Sequence, residues 1–139
     1  MAAGCGERAR EFFERFWNQR DAAAFNEMSA PESISHLPDG TTITAQQFRD
    51  AQYPAFLGSF PDLHIEIEDV LESGDRAVVR WFAKGTHGGD AMGIPASGRN
   101  VGFRGMTWFQ FRDGRIAAGW NCWDHGGLMH QLAQTAAAD

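Results

Sequence analysis

The sequence predicts an α+β fold, with helices from the first third of the chain packed on one face of a curved sheet made by the rest. Three observations carry this. Phe12, Phe13, Phe16 and Trp17 recur at helical spacing near the start. Leu63, Ile65 and Ile67 alternate with His64, Glu66 and Glu68, the pattern of a half-exposed strand. Asp113-Gly114 joins two long strand-like runs as a hairpin turn. Helices in front and adjacent strands behind mark α+β rather than alternating layers.

Each element has its own signal. The apolar stripe, with Arg20 at its end, spans residues 6–20 as a first helix. Asp21 is placed to cap a second short helix in which Phe25 and Met28 share a face, and Pro31 follows its end. Ile34-Ser35 reads as a short strand. Thr44-Ala45-Gln46-Gln47 fits a capping box that starts a third helix with Phe48 inward. Pro54 is expected to kink or end that helix early. After the strand at 63–68, Ser73-Gly74-Asp75 turns into a strand over 77–83. Residues 85–98 hold five glycines and Pro95, a long loop. A strand over roughly 100–112, the hairpin and a last strand follow, and Gly126 to Leu132 reads as a short final helix.

Composition excludes several functions. With 139 residues, 11 Phe and 5 Trp, the chain suits one domain with a real core. The net charge is −6 and nothing gathers the basic residues into a stripe, which argues against nucleic acid and anionic membranes. No apolar run approaches the ~18 residues of a membrane span. Cys5 and Cys122 are too few and too separated for a disulfide framework or zinc site. The segment Met1 to Arg8 becomes charged at once and lacks the apolar centre of a signal peptide, so a cytoplasmic protein is expected. No nucleotide-binding glycine pattern follows a strand, and no cofactor is expected.

Asp124 is the leading candidate for chemistry. Strand alternation puts Ile116, Ala118, Trp120, Cys122 and Asp124 on one face. A carboxylate sharing its face with a tryptophan is partly desolvated and becomes a stronger base. That suits proton abstraction next to a carbonyl. The same residue precedes Gly126-Gly127-Leu128, where it would equally serve as a helix N-cap.

Local sequences resemble those of the SnoaL-like polyketide cyclases, within the nuclear-transport-factor-like and ketosteroid-isomerase-like superfamily. The resemblance rests on Phe16-Trp17-Asn18 leading to Asp21, on Phe60-Pro61-Asp62-Leu63, and on the loop segments Gly85-Thr86-His87-Gly88 and Gly93 to Arg99. Its most specific part is Phe111-Arg112-Asp113-Gly114-Arg115-Ile116 running to Trp120 and Asp124, then Gly127-Leu128 and Gln131-Leu132. It implies a cone-shaped barrel of strongly curved, mostly antiparallel sheet, with N-terminal helices on its concave face. One SnoaL-like domain would cover residues 1–139, with 133–139 frayed. The implied activity is that of a cofactor-independent polyketide (ester) cyclase. Asp124 would be the general base, removing a proton alpha to carbonyls for intramolecular aldol ring closure. The implied ligand is an apolar small molecule with carbonyl groups, and the implied assembly a homodimer. One departure stands out: the family's amide and histidine on the penultimate strand are matched by Trp108 and Gln110, both expected to face the pocket with Met106. The alternatives are a non-catalytic binding module of two chains, or another cofactor-free chemistry such as hydroxylation, isomerisation or dehydration.

The other candidates have two readings each. His36 either lines the pocket mouth or sits exposed beside a turn. His87 either polarises substrate or bonds the loop backbone. Trp17 is core, substrate contact, or both, and Trp120 shares the face assigned to Asp124. Trp81 and Phe82 fall on opposite faces of their strand. Cys122 reads as a small core residue. No metal centre is expected, since Asp124, His125 and His87 make a poor ligand set.

Overall fold

The computed structural model describes residues 4–90 and 93–133. Helix α1 (Cys5–Phe12) runs unbroken into wider π-type turns over Phe13–Asn18. Phe12, Phe13, Phe16 and Trp17 are all buried, as the stripe requires. Helix α2 (Ala23–Met28) follows, but Asp21 does not cap it with its side chain. Asp21 Oδ2 instead accepts from Nε (3.0 Å) and Nη2 (2.8 Å) of Arg15. A charged guanidinium outcompetes a neutral backbone N–H for a carboxylate.

The capping box forms as expected. Gln47 N donates to Thr44 Oγ1 (3.1 Å) and Thr44 N to Gln47 Oε1 (2.9 Å), opening α3 (Ala45–Gln47). Pro54 does not end this stretch. Widened π-type turns over Phe48–Gln52 lead into α4 (Tyr53–Ser59), where the proline occupies the first turn and lacks no needed donor.

Strands β1 (Ser29–His36), β2 (Thr42–Thr44), β3 (His64–Ser73), β4 (Arg76–Thr86), β5 (Asn100–Arg112) and β6 (Arg115–Trp123) form one sheet in the order β2-β1-β6-β5-β4-β3. Every pairing is antiparallel except β1 with β6. β1 is longer than Ile34-Ser35 suggested, because Pro31 falls in an irregular stretch between Ser29 and Ile34 that needs no ladder donor. Register shifts there, between Ile67 and Asp69, and beside Phe111 bend the sheet. The sheet curves around the helices as a cone left open between edges β2 and β3. At the hairpin, Asp113 and Gly114 both take positive φ, as a tight two-residue turn demands.

Helix α5 (His125–Ala133) closes one end, burying Leu128 and Leu132. Its Gln131 side chain clamps both backbone groups of Gly102 on β5, at 2.8 and 3.1 Å. The expected fraying beyond Ala133 lies outside the described residues. Among the described residues, no helix is long and apolar enough to cross a membrane.

Candidate functional site

Between the helices and the concave face of the sheet lies a slot rich in aromatic rings, with aliphatic and neutral polar side chains between them. Phe12, Phe13, Trp17, Phe25, Phe48 and Phe56 form the helical wall. Trp81, Phe103, Phe109 and Trp123 rise from β4, β5 and β6. About 90 Å³ of this cavity is open to water-sized molecules, so it is a narrow slot rather than an open bowl. The wall is held from behind: Tyr53 stacks on Phe16 at 3.9 Å and its hydroxyl donates to Phe16 O at 2.8 Å. Burial pushes the Tyr53 phenol up, so it remains a neutral donor there.

Polar groups cross the floor in a chain. Trp81 Nε1 donates to Thr107 Oγ1 at 3.1 Å, and Thr107 Oγ1 donates to Asn121 Oδ1 at 3.0 Å. An indole N–H can only donate, so the hydroxyl must accept it and pass its own proton to the amide oxygen. That orients the Asn121 amide and places Nδ2 3.5 Å from His36 O. Ser29, Ser33, Ser35 and Gln52 also line the slot. Among the described residues, no ionisable side chain does.

Asp124 lies elsewhere. It is exposed, and its Oδ1 accepts the Gly127 N–H at 2.8 Å while its backbone oxygen takes Leu128 N at 3.1 Å. This is an N-cap for α5. Its own N–H donates to Arg104 O, continuing the β5–β6 ladder.

The sequence model of the SnoaL-like polyketide cyclase family matches residues 7–132. The chain belongs to that family. Solved structures share the fold. A candidate SnoaL-like polyketide cyclase from Jannaschia sp. CCS1 superposes with a TM-score of 0.85 at 22% identity, over 93% of this chain and 91% of its own. IdmH from Streptomyces antibioticus, a candidate polyketide cyclase, gives 0.84 at 26% identity, over 95% of this chain and all of its own. AclR from Streptomyces galilaeus, a candidate hydroxylase, gives 0.85 at 20%, over 95% and 82%. No curated protein matches. One scaffold therefore carries both cyclase and hydroxylase names, and the reaction must be read from the site.

In this SnoaL-like chain the strand faces differ from those expected. On β5, Thr107 and Phe109 face the slot, while Met106 (51% exposed) and Trp108 (46%) point outward and Gln110 shares their face. On β6, Phe111 pairs with Ile116 but Gln110 pairs with Ala118, so Ala117 is an extra residue. That bulge reverses the alternation. Ile116 faces in, yet Gly119, Asn121 and Trp123 do too, leaving Trp120 (40% exposed) and Cys122 outside. Cys122 is thus an exposed residue, not a core one.

The histidines are also outside the slot. His36 stacks on Trp120 at 4.4 Å, nearly parallel, on the outer face. His87 is fully buried beneath the glycine-rich loop, with Nδ1 3.0 Å from Ser97 Oγ and its ring beside Phe60. Its backbone N and O also pair with Arg99 O and Gly98 N. Of the candidate site residues, the slot contains Trp17 alone. Thr107, Asn121, Gly119, Ser33 and Ser35 were missed. For β5 a signal existed: Phe103-Arg104, Phe109-Gln110 and Phe111-Arg112 pair an inward ring with an outward polar residue each time. Among the described residues, no cluster of three His, Cys, Asp or Glu suits a metal ion.

Proposed function

We propose that this chain binds an apolar, carbonyl-bearing small molecule in the aromatic slot and promotes ring closure by holding it folded. The supporting observation is the slot itself, a ring-lined cavity whose interior polar groups are all neutral. Intramolecular aldol closure of a poly-β-ketone needs its ends brought together and the charge on an oxygen eased. Confinement supplies the first, since orientation alone can remove several kcal/mol from a barrier. The Asn121 amide, oriented by Thr107, is placed to supply the second by donating an N–H to a carbonyl oxygen.

A second reading keeps Asp124 as general base. It is favoured by the neighbouring Trp123, whose ring lines the slot and puts the carboxylate one residue from its rim. In that reading Asp124 must release the Gly127 amide to act. The variant Asp124→Asn separates the two, because asparagine caps helices as well as aspartate but cannot take a proton. The assay is conversion of heptane-2,4,6-trione to orcinol and water. The slot reading expects turnover within about twofold of the parent, since the removed charge touches nothing in the slot. Loss of turnover in a folded variant would install Asp124 as the base, and binding without turnover in either protein would leave a ligand-binding module.

We also propose a homodimer through the outer face of β5 and β6. Met106, Trp108 and Trp120 present contiguous apolar area there, with Trp108 and Trp120 edge to face at 6.5 Å. Sedimentation should give the mass of two chains, and Trp108→Arg the mass of one. A single-chain mass for the parent would remove the proposal.

A further inference from the structure

Strand β1 carries serine at every inward position from Ser29 to Ser35 that reaches the slot. The neighbouring strands line the slot with the larger apolar residues Ile116, Phe109, Phe103, Trp81 and Ile65 as well as with Ala83, Thr107, Gly119 and Asn121. Smallness alone does not call for a hydroxyl, so the three hydroxyls on one strand face need an account of their own. Ser29 and Ser33 are 5% and 6% exposed, no protein hydrogen-bond partner is seen for the three hydroxyls among the described residues, and none of them is sealed from the open volume of the slot they line. An occupant that fills the slot seals these hydroxyls from water, and a sealed hydroxyl without a partner is unfavourable, so each then needs a hydrogen bond from that occupant.

The surroundings give that occupant a shape. Ser35 pairs with Gly119, and Gly119 with Phe109, so the floor beside the serines is bare backbone. Ser33 and Ser35 stand about 7 Å apart, two residues along one strand face. The helical wall supplies rings, with Gln52 among them. A flat molecule fits between the rings and the bare glycine, with one edge against the serine row.

We propose that Ser33 and Ser35, with Ser29 beyond the irregular stretch, read the oxygen-bearing edge of a flat one- or two-ring ligand. This deepens the proposed function and rests on the slot being the binding site. Hydroxyls both donate and accept, so the row takes either the carbonyls of an unclosed chain or the phenols of its aromatic product. Specificity then comes from unmet hydrogen bonds: a ligand lacking oxygens on that edge leaves the serines buried without partners.

The test is calorimetric titration of the full chain with orcinol and with toluene, which differ only by two ring oxygens. Parent protein should bind orcinol at least tenfold more tightly than toluene. In Ser33→Ala with Ser35→Ala, that preference should fall to about threefold or less while toluene affinity stays within about twofold. Alanine leaves the strand and the slot wall intact, and each single variant should lose part of the preference. Toluene binding with no orcinol preference, or a preference unchanged in the double variant, overturns the serine row and leaves the slot standing. Binding of neither ligand overturns both.

Discussion

Phe16→Ala is expected to destabilise the protein by about 3–5 kcal/mol, the cost of removing a fully buried ring and leaving a cavity. Phe16 has no exposed surface and touches five other rings: Phe12, Trp17, Phe25, Phe48 and Tyr53. Its backbone oxygen also anchors the Tyr53 hydroxyl. A loss of that size is a large part of the roughly 5–15 kcal/mol that holds a domain together. Urea denaturation should show the midpoint falling steeply. A loss below about 1 kcal/mol would mean that the helical wall collapses freely into the gap. The effect reaches function, because Phe12, Phe25 and Phe48 form the slot wall and lean on Phe16 from behind.

The helical wall was readable in the sequence because its period is redundant: four aromatic residues in one stripe point to the same answer. The capping box at Thr44 and the Asp113-Gly114 turn were readable for a different reason, since each satisfies a backbone demand that few residue types meet. The strand faces that make the site were harder. On β6 a single extra residue at Ala117 exchanges inside for outside, and Ala117-Ala118 gives no local sign of it. Counting from Ile116 therefore placed Trp120 and Asp124 inside and left Gly119 and Asn121 unnoticed. On β5 the counter-evidence was present in Arg104 and Arg112, whose charges mark the outer face.

Asp124 shows why a site is less legible than a fold. A carboxylate after a strand and before Gly-Gly serves a base or a cap equally well in sequence. In the structure Asp124 takes the capping geometry, its Oδ1 accepting the Gly127 N–H at 2.8 Å, and the Asp124→Asn variant separates the two roles. Gly127 is bound to that role, because a Cβ there would fall 2.1 Å from the carboxylate. Fold membership was legible from motifs spread along the chain, whereas the site depends on a register that one residue can reverse.

Gly119→Leu is the second large effect, and it acts on function with little effect on the fold. Gly119 has ordinary strand conformation, and a Cβ there would meet only Phe109 ring atoms, at 3.7 and 3.8 Å. The protein can therefore accept a side chain at this position. The side chain would rise into the slot and occupy the bare floor beside Ser35. Gly105 on β5 gives the contrast: a Cβ there would lie 2.5 Å from both Trp81 and Trp123, so even alanine would disturb the sheet. Filling Gly119 tests the slot without breaking it.

The decisive measurement is orcinol affinity in Gly119→Leu beside its thermal midpoint. The slot account predicts a midpoint within a few degrees of the parent and binding weakened by about a hundredfold or more, equivalent to roughly 2.7 kcal/mol. Parent-like affinity in the stable variant would show that the ligand sits elsewhere, and the slot would lose its claim to be the functional site.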